Sequence, residues 1–293
     1  MIRWIVALAL VVLSAGTALA SGKAVEIGYV ESFERGADGY SIVSDGVPKK
    51  VAILEPILNG DLIQVRDPTG SITLRLVGRD DPVVISQANQ SVPITAEVPE
   101  KGFWSGLFSW TSGSVAVFDD EQRQQVTASI RGDDGKELIA PLFATPQTLV
   151  AGRRKLSIGW STPRTVDIQI LAKGAKRVAE GRASGGLWAT PEIDWKAGTY
   201  RIEIASGADV VRQTLTFVAP KKAPPLPAEF SDPAVPAPLR AVASAAWYAA
   251  KDPAYLLEAL QYVAPDARTS RPAKLLTLAF IDGKRPPPPP AMP

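Results

Sequence analysis

The chain has 293 residues, of which 46% are hydrophobic, with 32 Lys and Arg against 30 Asp and Glu. This hydrophobic content excludes a wholly disordered chain, and the net charge of +2 gives no basic footprint for nucleic acid. The chain has no His and no Cys. Disulfides, thiol nucleophiles, His or Cys zinc sites and imidazole-dependent triads are therefore excluded. We expect no enzyme activity, no cofactor and no metal site.

Residues 1–20 have the pattern of a bacterial export signal. Arg3 precedes an apolar run at residues 4–13, and residues 18–20 (ALA) have the small-x-small pattern of a cleavage site. The apolar run is much shorter than the about 20 residues of a spanning helix. We expect cleavage between Ala20 and Ser21, and a periplasmic or secreted mature chain without a membrane span.

Residues 23–98 show the period-two alternation of short β-strands separated by turn residues. The strand candidates are residues 25–29, 40–44, 51–54, 72–76 and 83–85. This spacing predicts an antiparallel sandwich or small barrel. A tight turn is predicted at Asn59, Gly60 and Asp61, where Gly60 supplies the unusual backbone geometry and the Asp61 carboxylate accepts nearby N–H groups.

Residues 99–119 are an aromatic-rich connecting segment. Five large apolar side chains fall within eight positions of it: Phe103, Trp104, Leu107, Phe108 and Trp110. Such a cluster either covers an open edge or end of a sandwich, or forms an exposed anchor for a partner. These five are the candidate partner-binding residues. A membrane role is the weaker version, because no basic cluster flanks them.

Residues 120–219 are predicted to form a second sandwich of seven or more short strands. Its first hairpin is expected to pair residues 126–130 with residues 138–142 around the turn at 131–135. Further alternation occurs at residues 156–160, 166–170, 200–204 and 213–217.

Three further segments follow the second block. Residues 220–238 are rich in proline, which favours a semi-rigid spacer. Residues 239–282 have the helical apolar period, with Asp252 and Ser270 as candidate N-caps. Residues 283–293 include five consecutive prolines and are expected to be extended and disordered. The fold class is thus mainly β, with two sandwich-like domains in tandem and a small helical unit at the C-terminus.

Residues 194–202 (DWKAGTYRI) resemble a late-strand segment of bacterial domains of the immunoglobulin-like and fibronectin type III-like families. The resemblance implies a structural corner at Tyr200, whose hydroxyl caps a nearby backbone group, with Trp160 as a core aromatic residue. It supports a fold and says little about function.

Residues 56–63 (PILNGDLI), the strand at 70–76 and the opening pattern at 28–42 resemble the FecR-like extracytoplasmic domain. Members of that family work as sensing or interaction modules in bacteria. The regulatory members have a cytoplasmic segment and a membrane helix before this domain, whereas here the predicted signal precedes it directly. The resemblance therefore implies the interaction module without direct control of a sigma factor.

Three functions remain open from the sequence. The leading hypothesis is a non-enzymatic scaffold that binds another envelope protein. The second is a module that binds cell-wall glycan through exposed tryptophans, with Trp104, Trp110, Trp188 and Trp195 as candidates, because flat indole faces stack on sugars. The weakest is a hydrolase with paired carboxylates, for which the densest acidic cluster is Asp133, Asp134 and Glu137.

Overall fold

Alternating strands in the first part of the chain form two four-stranded sheets that pack face to face. The computed structural model describes residues 25–79, 81–86, 92–96, 106–128, 138–162 and 164–289. One sheet has the order β4 (Pro56–Leu58), β1 (Glu26–Phe33), β6 (Ser71–Leu76), β7 (Val83–Ser86). The other has the order β3 (Val47–Lys50), β2 (Tyr40–Ser44), β5 (Leu62–Val65), β8 (Val92–Pro93). All pairings in both sheets are antiparallel.

The first sandwich encloses a core of its own. Ile27, Ile72 and Leu74 from one sheet meet Ile42 and Ile63 from the other, and each is at most 1% exposed. These residues alternate along their strands with less buried ones, as a sheet with one covered face requires.

Residues 51–54 form a turn, so the strand expected from their apolar run is wrong. They connect β3 to β4, and Leu54 has a φ of +63°, which strands do not adopt. Val51 packs in the core of the first sandwich, whereas Ile53 and Leu54 pack in a second core farther along the chain. The run is apolar because it is buried between two units.

The helix α1 (Gly106–Ala128) includes residues 126–128, where the first strand of the expected hairpin would begin. The turn at 131–135 lies outside the described residues. The expected return strand at 138–142 is also wrong, since residues 138–140 are irregular and Pro141–Phe143 form a 3-10 turn. Glu, Gln and Arg at residues 121–125 favour a helix, and Pro141 has no N–H to give to a ladder.

The second sandwich places a five-stranded sheet opposite a broken two-stranded ladder. The sheet has the order β13 (Arg177–Ala183), β12 (Val166–Leu171), β16 (Gly198–Ser206), β17 (Asp209–Val218), β9 (Gln147–Val150). The strand β9, which is the first of the five in the sequence, pairs in parallel with β17, which is the last in the sequence. The ladder pairs β10 (Gly152–Arg154) with β15 (Ile193–Trp195), and β11 (Ser157–Gly159) with β14 (Leu187–Ala189). This order is that of an immunoglobulin-like sandwich.

Three helices follow: α2 (Ala237–Lys251), α3 (Leu256–Val263) and α4 (Arg271–Ile281). Both predicted caps are present. Asp252 accepts from the Ala254 N–H at 2.7 Å, at the start of the turn before α3, and Ser270 accepts from the Ala273 N–H at 3.5 Å. These side chains satisfy N–H groups that have no partner inside the helix.

The Pro-rich segment at 220–238 is not a simple spacer. It contains two 3-10 turns, Pro220–Lys222 and Ala228–Ser231, and α2 already begins at Ala237. Phe230 is 4% exposed, and its ring contacts the rings of Phe108 and Trp247. One buried aromatic side chain therefore fastens this segment to α1 and α2.

The helical unit packs on the open side of the second sandwich. The Gln261 side chain accepts from the Ser157 N–H at 2.7 Å and donates to the Ser157 carbonyl at 3.0 Å. A side-chain amide thus pairs the edge of β11 as a neighbouring strand would. Glu258 accepts from the Val150 N–H at 3.0 Å and from the Arg154 guanidinium at 2.5 and 2.8 Å.

The composition of residues 283–293 predicts an extended and disordered tail. The structure shows instead that the first part of this tail contacts the helices. Arg285 donates to the carbonyls of Ala249 and Ala250 at 2.8 and 3.0 Å, and Pro286 is buried. Residues 290–293 lie outside the described part of the chain. Within the described ranges, no helix combines the length and apolar character that a membrane crossing needs.

Candidate functional site

The described part of the aromatic segment is mostly buried. Leu107 is 4% exposed and Phe108 is 1% exposed, so neither is available to a partner. Trp110 is half-buried and donates its indole N–H to the Pro287 carbonyl at 3.2 Å. Phe103 and Trp104 lie outside the described residues. Helix α1 therefore contributes these side chains to the second core, and Leu107 and Phe108 are not partner-binding residues.

The described tryptophans offer no exposed platform for a sugar. Trp195 is 1% exposed and stacks on Phe217 with ring centroids 5.0 Å apart, while Trp160 and Trp247 are also buried. Trp110 and Trp188 are half-buried. Because stacking on a sugar needs an open indole face, this arrangement weakens the glycan-binding hypothesis.

The predicted turn at Asn59, Gly60 and Asp61 is structural. Gly60 has a φ of +91°, and the buried Asp61 carboxylate accepts from the Leu58 N–H at 2.8 Å and from the Ser44 hydroxyl at 2.6 Å. These contacts hold β4, β5 and β2 together.

Tyr200 forms the predicted corner. Its hydroxyl donates to the Lys196 carbonyl at 3.2 Å, and its ring lies edge-on to Trp195 and Phe217. The contacts fasten the start of β16 to the turn before it, which is a structural role.

A buried ion pair lies on the outer face of β1, where α4 contacts this strand. The Arg75 Nε donates to Glu31 at 2.8 Å, and the Glu31 side chain is 5% exposed. Burial raises the pKa of Glu31, and it also raises the pKa of the neighbouring Tyr29, with the Glu31 charge as a smaller cause. These groups are covered by the chain itself, so they serve the contact between units.

An open groove of about 510 Å³ lies between α4 and the second sandwich. Its walls come from α4, from residues 160–162 after β11 and from residues 185–187 at the start of β14, with one aromatic residue from α1. The large apolar side chains that line it are those of Phe118, Trp160, Leu187, Leu275, Leu278 and Ile281. Leu278 is 36% exposed. An apolar concavity with an exposed leucine is the kind of surface that binds partners.

Two polar groups of α4 complete the groove. Lys274 is exposed, and it lies one helical turn before Leu278 on the same face. Thr277 also lines the groove, is 4% exposed, and its hydroxyl has no hydrogen-bond partner among the described residues. A buried hydroxyl without a partner costs about 1–3 kcal/mol.

Close packing fixes the two walls of the groove. A Cβ on Gly159 would lie 2.4 Å from Cγ1 of Ile281, so only glycine allows α4 to approach β11 this closely. The Ser161 hydroxyl donates to the Asp282 carboxylate at 2.8 Å, just after the end of α4. On the opposite wall, Gly186 has a φ of +84° and, as a glycine, has no side chain that would fill the groove.

The carboxylates proposed for a hydrolase do not form a described site. Asp133, Asp134 and Glu137 lie outside the described residues. Asp119 is 4% exposed and accepts from the Arg271 guanidinium at 2.8 Å, which joins α1 to α4. No group of three acidic residues able to hold a metal ion occurs among the residues that the structure describes.

No protein-family model matches the chain, and no curated protein matches it. A solved structure, a chimeric titin Z1Z2 functionalized with an exogenous KLER peptide from decorin, is similar at 12% identity. The similarity covers 66% of this chain and 82% of that chain, with a TM-score of 0.22. A TM-score this low carries no argument about function.

Sequence reasoning missed the groove because its walls come from segments that lie far apart in the sequence. One signal was present. The apolar residues of α4 at 275, 276, 278, 279 and 280 occupy more of the helix circumference than a single buried stripe needs. An excess of this kind indicates that a helix contacts more than one surface.

Proposed function

We propose that this protein is an exported, non-enzymatic interaction module of the bacterial envelope, with a FecR-like first domain, and that it binds a segment of another envelope protein. The observation that carries the proposal is the groove beside α4, where Leu278 is exposed above an apolar floor. The aromatic segment no longer carries it, since Leu107 and Phe108 are buried.

The chemistry of the groove defines its ligand. Its floor is aliphatic and aromatic, which suits apolar side chains of a peptide. Lys274 at the rim favours a carboxylate on the same peptide. We therefore propose an apolar peptide segment with an acidic residue as the ligand.

The test replaces the exposed leucine with a charged residue. Burial of a leucine side chain contributes about 1.5–3 kcal/mol, and an aspartate at this place would also repel an acidic ligand. We expect Leu278→Asp to reduce binding of the partner at least tenfold. The matched control is Val84→Asp on β7, because Val84 is 57% exposed and lies on the first sandwich.

The assay is affinity capture from envelope extract, followed by titration of the captured partner, once purified, against each variant. A partner that binds wild type and Val84→Asp but not Leu278→Asp supports the proposal. Equal binding by all three proteins refutes the groove as the site. The same preparation tests export, since the exported protein is expected to begin at Ser21.

A further inference from the structure

The C-terminal prolines lie on a surface formed by α1 and the end of α2. The Trp110 indole donates to the Pro287 carbonyl at 3.2 Å, and Pro286 is buried. Arg285 donates to the carbonyls of Ala249 and Ala250 in the last turn of α2. Two helices thus hold three consecutive residues of the tail through side-chain and main-chain contacts.

These contacts are those by which proteins recognise Pro-rich peptides. A run of prolines has φ fixed near −65° and forms an extended helix whose carbonyls have no internal partners. An aromatic side chain that packs beside the run and donates an N–H to a proline carbonyl supplies both parts of such recognition. Trp110 supplies the N–H part of this recognition at the Pro287 carbonyl, and Arg285 anchors the start of the run to the end of α2.

We propose that the surface around Trp110 is a binding site for Pro-rich segments, and that residues 286–289 of the same chain occupy it. A Pro-rich segment of a partner protein binds there by displacing the tail. This site is separate from the groove beside α4, and the proposal does not depend on the function of that groove.

Because the tail occupies the site, an added peptide must compete with the tail to bind. A tethered segment is present at an effective concentration on the order of 1 mM, whereas an added peptide competes at its actual concentration. For a peptide with a Kd of about 100 μM, this tether weakens binding about tenfold. Removal of the tail should therefore reveal a site that the full chain conceals.

The experiment uses a chain that ends after Arg285, which keeps the contacts of Arg285 with α2 and removes the prolines. The probe is a fluorescent synthetic peptide with the sequence of residues 286–293, and the readout is its anisotropy. We expect the peptide to bind the shortened chain, and to bind the full chain about tenfold more weakly. A peptide with alanine in place of proline should bind neither.

Trp110→Phe in the shortened chain removes the indole N–H but keeps an aromatic ring. Loss of one hydrogen bond should weaken the binding of the peptide several-fold. Trp188→Phe is the matched control, since Trp188 is also half-buried but lies on β14, and this variant should bind as the shortened chain does. Circular dichroism shows that each variant is folded.

The proposal would be overturned by no binding to the folded shortened chain, by equal binding to both chain lengths, or by equal binding by the Trp110→Phe variant. A full-length dimer that becomes a monomer on shortening would show that the tail occupies a second copy, and would refute occupancy by the same chain.

Discussion

The Gln261 side chain offers a direct test of how the helices attach to the second sandwich. Its amide pairs both main-chain groups of Ser157 and also donates to the Leu257 carbonyl at 2.7 Å within α3. Gln261→Leu keeps a side chain of similar size but removes all of these bonds. The variant leaves the N–H and carbonyl of Ser157 facing an apolar side chain.

The expected loss follows from those two groups. A buried main-chain group without a partner costs about 1–3 kcal/mol, and Ser157 is half-buried, so water recovers part of the cost. We expect Gln261→Leu to lower the free energy of unfolding by about 2–4 kcal/mol. For a unit of this size, that loss lowers the Tm by roughly 5–15 °C.

The assay is thermal unfolding followed by tryptophan fluorescence, since Trp160 and Trp195 report on the second sandwich. The matched control is Gln169→Leu on β12, because the Gln169 side chain is half-buried and makes no hydrogen bond within the described residues. Its Tm should change by less than about 2 °C. Equal shifts for the two variants would refute the idea that Gln261 closes the edge of β11.

Two further predictions concern one buried carboxylate and one half-buried carboxylate. Glu258→Gln should destabilise the protein by about 2–4 kcal/mol in urea unfolding, because it leaves the Arg154 guanidinium partly buried without a charge partner. The control is Glu192→Gln, which breaks the exposed pair with Arg153 and should cost less than about 1 kcal/mol. Burial raises the pKa of Glu55, so the folded state favours its protonated form and its charge opposes folding at neutral pH. Glu55→Gln should therefore stabilise the protein at pH 7, and the gain should disappear below about pH 4, where the wild-type group is protonated; a gain that is the same at both pH values would contradict this reasoning.

The sequence predicts the strands best where each strand has one buried face. In β6 and β12, apolar and polar side chains alternate regularly, and the register of the ladders places the apolar set in a core. The turn at Asp45 and Gly46 is also present, with φ of +50° and +79°. These features depend on neighbours in sequence, and the pattern records them.

The incorrect predictions share a different cause. Helix α1 was not predicted because its first half is rich in Gly and Ser and forms a poor helix in isolation. In the fold, the Thr111 and Ser114 hydroxyls donate to the carbonyls of Leu107 and Trp110 one turn earlier, and Leu107, Phe108 and Val115 are buried. Packing against distant segments stabilises this helix, and local sequence does not contain that information.

Contacts with a distant segment also determine the structure of the C-terminal tail. Its proline content predicts an extended conformation. Composition does not show that Arg285 donates hydrogen bonds to the free carbonyls at the end of α2. Those carbonyls have no partner inside the helix. A basic side chain that satisfies them stabilises the helix end, and so the segment that carries it becomes ordered.

The two cores of the protein differ in what they join. The first sandwich is closed around residues of its own strands, whereas the second core combines the second sandwich, α1 and the three C-terminal helices with Tyr29, Ile53 and Leu54 of the first domain. The Ser112 hydroxyl adds a hydrogen bond to the Leu54 carbonyl at 3.1 Å. In a chain without cysteine, this shared core takes the place of covalent links between units. The walls of the groove beside α4 belong to units that cannot separate without exposing that core to water, so a ligand there does not have to order them as it binds. Binding in the groove then avoids the cost of ordering its two walls, and only the other costs of association oppose it.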